Sequence, residues 1–204
     1  ELIKDMKQFS PDNIVVVPAI LEFFYKRITF LIKKSSKSEY FSELLKDNRL
    51  LEKTPEERRS IFAEVTGELG TRLGSAITGA AMLNVDMECF FEKIGVILYS
   101  IYGTTECSPL ITVCDLGDNR IGSVGSALEC NEISIHNPDE NGIGEIYVKG
   151  RNVMLGYYKR PEETINAFAG EWFKSGDLAR IDNEGFVYIT GRIKNLIIRS
   201  SGEN

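Results

Sequence analysis

The chain is short of the residues on which several common chemistries depend. It holds one histidine, His136, in 204 residues, and its four cysteines, Cys89, Cys107, Cys114 and Cys130, include no pair at CxxC spacing. A zinc centre needs clustered imidazoles and thiolates, so that class is excluded. Scattered cysteines fit reduced thiols better than a disulfide framework, which points to a cytoplasmic protein. Positive charge is also in deficit: 24 Lys and Arg against 30 Asp and Glu give a net charge of −6. A nucleic-acid partner normally leaves a basic footprint, so none is expected. Long hydrophobic runs are missing too. The stretch 14–20 is too short to span a bilayer, and no segment reads as a signal peptide. The expected partners are small molecules, with peripheral contact at a membrane surface left open by the basic run of Lys33, Lys34 and Lys37.

What is present is a pattern of two halves. Residues 14–17 form a continuous apolar run, as in a buried parallel strand, and Pro18 closes it. Leu21, Phe24, Ile28 and Leu31 then recur at helical spacing. Thr54, Pro55 and Glu57 make a helix start with a capping box, and that helix is expected to reach Leu69 or beyond. Residues 75–78 read as a strand, Met87, Phe90, Phe91 and Ile94 as a helical stripe, and residues 96–98 as the next strand. After residue 113 the period changes. Residues 132–136, 145–149, 186–189 and 196–198 read as closely spaced strands separated by turn residues. The predicted fold class is α/β: part of a wound, mostly parallel sheet with flanking helices, then a small antiparallel, barrel-like β subdomain. The boundary is placed near residues 114–122, giving units 1–115 and 116–190.

Three short segments carry chemistry. Tyr102-Gly103-Thr104-Thr105-Glu106 follows directly on a predicted strand. Glycine lets a backbone approach a ligand closely, threonine can bind phosphate oxygens, and a carboxylate is the hard ligand that Mg²⁺ takes beside phosphates. Tyr102 offers a flat face to a base. The same residues also suit an ordinary strand-to-loop turn with a surface glutamate. Asp177, after Ser175-Gly176, could accept hydrogen bonds from vicinal hydroxyls, although Gly-Asp turns are common. Arg192, in Gly191-Arg192-Ile193-Lys194-Asn195, has the donor fork that pairs with phosphate, although basic stretches usually face solvent.

Order and spacing add to this. Tyr102 to Glu106, then Gly144-Glu145-Ile146-Tyr147-Val148-Lys149-Gly150, then Gly156-Tyr157-Tyr158 with Pro161-Glu162-Glu163-Thr164, then residues 172–178 and 191–194, together resemble the adenylate-forming superfamily. The resemblance covers roughly residues 75–204 and is closest to the long-chain fatty-acid–CoA ligases. It implies ATP, Mg²⁺ and coenzyme A as reaction components and a fatty acid as substrate. It implies further that Gly79, Ala80 and Ala81 lie along the adenine, in a segment where Thr78 replaces a family glycine and Ala81 a family proline. Tyr102, with Gly103 and Thr104 beside it, would take the adenine. Thr105 would touch the α-phosphate, Glu106 would hold Mg²⁺, Asp177 would bind the ribose, and Arg192 would contact ribose or phosphate. Lys194 would be the hinge, with residues 191–204 leading into a C-terminal domain.

The family's Gly/Ser/Thr-rich phosphate loop and its C-terminal catalytic lysine are not in this sequence, and both ends of the chain read as cut. The expectation is a fragment that is inactive alone. Uncovered sheet edges and apolar faces in such a fragment make a homodimer one expected response. Two rival readings stand beside it: an acyl-AMP ligase that serves a carrier protein, which shares every one of these motifs, and a noncatalytic nucleotide- or lipid-binding module, against which the intact Thr105, Glu106, Asp177 and Arg192 argue. His136 is expected to face solvent, Cys107 to be a small buried filler, and Trp172 and Phe173 to be packing residues.

Overall fold

A computed structural model describes residues 1–115 and 117–195, and the chain within it divides into two compact units at Ser100/Ile101. The strand expected at 196–198 lies outside the described residues, as does the rest of the segment 191–204 beyond Asn195.

The first unit runs α1 (Leu2–Phe9), β1 (Asn13–Val16), α2 (Pro18–Lys34), α3 (Ser38–Lys46), α4 (Pro55–Thr66), β2 (Ser75–Thr78), α5 (Val85–Lys93) and β3 (Ile97–Ser100). The three strands form a parallel sheet in the order β1-β2-β3, with Ile14, Ala76 and Leu98 in one register row and Val15, Ile77 and Tyr99 in the next. Helical spacing gives α2 its buried face of Leu21, Phe24, Ile28 and Ile32. That face shares one core with Phe41 of α3, Phe62 and Val65 of α4, Phe91 of α5, and Ala76 and Leu98 of the sheet. Each of the large side chains buried there stabilises the unit by roughly 1.5–3 kcal/mol of transfer free energy. The expected capping box is present: Thr54 Oγ1 accepts from the Glu57 N–H at 3.2 Å, and Glu57 Oε2 accepts from the Thr54 N–H at 2.8 Å. The helix ends at Thr66, and a 3₁₀ turn over Gly67–Leu69 completes the predicted span.

β1 differs from its predicted burial. It is an edge strand with only one covered face, so Ile14 and Val16 are half-buried while Val15 is 79% exposed. The apolar run looked like a two-sided strand because valine is favoured in strands whether or not both faces are covered.

The second unit adds β4 (Thr112–Val113), β5 (Ser126–Ala127), β6 (Asn131–His136), β7 (Gly144–Gly150), α6 (Pro161–Ala167), β8 (Phe168–Ala169), β9 (Trp172–Ile181) and β10 (Val187–Arg192). β10, β9, β7 and β6 form an antiparallel sheet in that order, β8 pairs with β9, and β4 and β5 pair separately. Ile146, Val148, Phe173, Ala179 and Val187 build its core with Cys107 and Ile111. Cys107 is thus the buried filler expected, and Phe173 packs as expected. His136 is on the exposed side of β6 and stacks on Tyr147 of β7, with ring centroids 4.4 Å apart.

The unit begins earlier than residue 116 because Tyr102 bridges to Thr112, and Thr112 pairs with Ala127. It also continues past residue 190. β10 runs through Arg192, so Gly191 and Arg192 are sheet residues of this unit.

Candidate functional site

The second unit brings three of the predicted site residues together, with Tyr102 and Arg192 meeting on the Asp177 carboxylate. Asp177 is on β9, where the register with β7 shifts: Glu145 faces Leu178 and Tyr147 faces Lys174. Ser175, Gly176 and Asp177 therefore stand opposite the single residue Ile146, which makes the segment a bulge in a long strand rather than a turn between two. Gly176 has φ of +73°, a conformation that residues with a Cβ adopt at a cost. The N–H groups released from the ladder are taken up locally: Gly176 donates to Glu145 Oε1 at 3.0 Å, and Asp177 donates to Ser175 Oγ at 3.1 Å. A second register shift, between Ile189 and Gly191 of β10, sets Arg192 directly across from Asp177.

The Asp177 side chain, 8% exposed, accepts on both oxygens. Arg192 Nε donates to Oδ1 at 2.7 Å, and the Tyr102 hydroxyl donates to Oδ2 at 2.9 Å. The Arg192 side chain is 54% exposed, so the guanidinium fronts solvent with the carboxylate behind it. Its hydrogen bond with Asp177, and then the Asp177 charge, raise the Arg192 pKa. Burial pushes the Tyr102 phenol far above the usual range, so its proton stays in place for Asp177.

The loop after β3 holds the other residues. Thr105–Cys107 is one 3₁₀ turn, with Thr105 exposed and Glu106 half-buried. Gly103 is needed here for the packing of the chain on itself. A Cβ at Gly103 would overlap the carbonyl of Pro109, so it is the chain itself that approaches. Glu106 Oε1 accepts from the Tyr157 hydroxyl at 2.8 Å. Burial acts to raise the Glu106 carboxyl. Its own backbone N–H, the Tyr157 and Thr104 hydroxyls and the Arg192 charge outweigh that and hold it below the usual range.

Tyr157, Glu145 and Asn152 are site-building residues to which sequence reading gave no role. Asn152 Nδ2 donates to the carbonyls of Cys107 and Leu110 at 2.9 and 2.7 Å, tying the loop down. The glycine before Tyr157 was the available signal. Glu145 stood in a quoted segment without a role of its own and Asn152 had no local signal, because their partners are 31 to 45 residues away.

Gly79, Ala80 and Ala81 belong to the first unit, directly after β2. Ala80 has φ of +69°, left-handed for a residue with a Cβ. Thr78, buried at the end of β2, has a hydroxyl with no hydrogen-bond partner among the described residues. Lys194 is exposed within a 3₁₀ turn over Ile193–Asn195.

A family model described as AMP-binding enzyme matches residues 1–158. The long-chain-fatty-acid–CoA ligase ACSBG2 of Gallus gallus is 38% identical over 149 residues, which is 72% of this chain and 20% of that protein. Among solved structures, the ATP-bound RpMatB-BxBclM chimera B1 matches at a TM-score of 0.67 and 28% identity, covering 99% of this chain and 34% of that one. The O-succinylbenzoate coenzyme A synthetase MenE of Bacillus subtilis, in complex with ATP and magnesium ion, matches at a TM-score of 0.64 and 25% identity, covering 99% and 36%. The chain spans 20% to 24% of the length of the first curated relatives it matches.

Proposed function

The chain belongs to the AMP-binding enzyme family, and from that premise we propose that it forms part of a ligase that activates a long-chain fatty acid with ATP and passes it to coenzyme A. The observation that carries the reading is the Tyr102–Asp177–Arg192 cluster with Glu106 on the adjoining loop, in a member of that family. The names of the ACSBG2 relatives support the fatty-acid substrate.

The reaction has two displacements. A carboxylate oxygen of the fatty acid forms a bond to the α-phosphorus of ATP as the bond to pyrophosphate breaks, giving acyl-AMP. The coenzyme A thiolate then attacks the acyl carbonyl carbon, and the bond to the AMP oxygen breaks. Most of the catalysis in the first step is positioning and charge neutralisation. Tyr102 lies against the adenine and keeps its phenolic proton on Asp177. The ribose hydroxyls reach Asp177 by taking over from the Arg192 donor, which leaves the guanidinium to a ribose or phosphate oxygen. Thr105, exposed on its turn, donates to the α-phosphate.

Glu106 suits Mg²⁺. It is a hard oxygen donor, partly open to solvent and held ionised. Among the described residues no group of three or more His, Cys, Asp or Glu side chains could hold a metal ion. Mg²⁺ usually keeps several waters and is held by one or two carboxylates together with substrate phosphates. When bound, Mg²⁺ supplies neutralisation of phosphate charge, and Glu106 is the residue that would hold it.

The test is carboxylate-dependent ATP–pyrophosphate exchange by the full-length protein across short, medium and long fatty acids and an aromatic acid. Exchange that rises with chain length is expected. Exchange with short or aromatic acids alone would keep the family and overturn the long-chain substrate. No exchange in a protein that binds ATP would favour a noncatalytic binding module.

A further inference from the structure

Glu106 is gripped from two directions by one short stretch, residues 152–157. The Met154 N–H donates to the Glu106 carbonyl at 2.7 Å, and the Tyr157 hydroxyl donates to Glu106 Oε1 at 2.8 Å. Asn152 holds the following residues through the carbonyls of Cys107 and Leu110, and the Ser108 hydroxyl donates back to the Asn152 carbonyl at 2.9 Å. Tyr157 is itself fixed. Its N–H donates to Thr164 Oγ1 at 2.9 Å, and the Thr164 hydroxyl donates to the Arg160 carbonyl at 2.8 Å. Gly156 packs so closely on Thr164 that a Cβ there would stand 2.6 Å from Thr164 Cγ2. The phenol is therefore anchored to α6 rather than resting on the surface by chance.

We propose that Tyr157 is a positioning residue for Glu106: its hydroxyl takes Oε1 and leaves Oε2 as the oxygen offered to the metal–nucleotide. This rests on the function proposed above, in which Glu106 is the metal ligand. Groups that orient a metal-ligating carboxylate typically matter 10–100-fold in metal affinity or activity.

The experiment uses the full-length protein with Mn²⁺ as the probe, its binding at saturating ATP followed by electron paramagnetic resonance, with a thermal midpoint for each variant. Tyr157→Phe removes one oxygen from a residue 39% exposed and is expected to fold normally. Its apparent Kd for Mn²⁺ should rise roughly tenfold at an unchanged midpoint. In a Glu106→Gln background the same change should add nothing. Thr164→Val, which keeps the phenol but loosens its anchor, should weaken Mn²⁺ binding in the same direction by less. Wild-type Mn²⁺ affinity in Tyr157→Phe, or a full further loss in the Glu106→Gln background, would overturn the proposal. Wild-type protein that binds neither ATP nor Mn²⁺ would overturn the functional reading and this proposal with it, and is told apart because no substitution is involved.

Discussion

At the scale of single residues, the chain departs from local preference directly after β2. Ala80 holds a left-handed backbone that costs an L-residue energy. Ala80→Gly is expected to stabilise the first unit by about 0.5–1 kcal/mol, the relieved strain less the added freedom of the unfolded chain. Chemical denaturation followed by circular dichroism would read it, and an unchanged or lowered midpoint would refute it. Tyr102, Asp177 and Arg192 were legible from the sequence as chemical types, and their mutual hydrogen bonds were not. Those depend on two register shifts in β9 and β10, and a ladder offset is set by cross-strand packing that short motifs do not encode. Gly103 shows the converse. Its identity was read as a demand for space, and the Pro109 carbonyl is a neighbour that no local motif announced.

At the scale of elements, signals confined to a few residues were the readable ones. The Thr54 capping box of α4 follows from spacing alone and is present as expected. Thr54→Ala should cost about 1 kcal/mol, seen as a lower thermal midpoint. The ion pair of Glu68 with Arg27 of α2 joins residues 41 apart in sequence and had no local signal. The Arg27 hydrogen bond, against the effect of burial and with the Arg27 charge and Lys7 assisting, lowers the Glu68 pKa from 4.5. A depressed carboxyl contributes stability that is complete above its unfolded value and is lost as pH falls through its folded one. Glu68→Gln should therefore unfold at lower urea than wild type at neutral pH, and the gap should narrow as pH falls below the unfolded value and close once pH passes below the depressed folded one. A gap that persists in acid would show that the pair contributes through packing instead. The exposure of Val15 had no local signal either, because it depends on whether anything covers that face of β1.

At the scale of the molecule, the change from parallel to antiparallel pairing was readable because the hydrophobic period itself changes along the chain. The unit boundary at Ser100/Ile101 was not, because it follows from the pairing of Tyr102 with Thr112. The whole chain, purified, is expected to bind AMP without forming acyl-AMP, because the resemblance assigns the triphosphate loop and the catalytic lysine to sequence that is not in it. Calorimetry with AMP and a hydroxylamine trap for acyl-AMP would decide this, and trapped hydroxamate would refute it. Cys107 adds a practical consequence. Its thiol is fully covered, next to Glu106, whereas Cys89, Cys114 and Cys130 are partly open. A thiol reagent will therefore label three cysteines promptly and the fourth only when the loop opens, so the slow phase of labelling is a built-in clock for motion at the site, readable without an added probe.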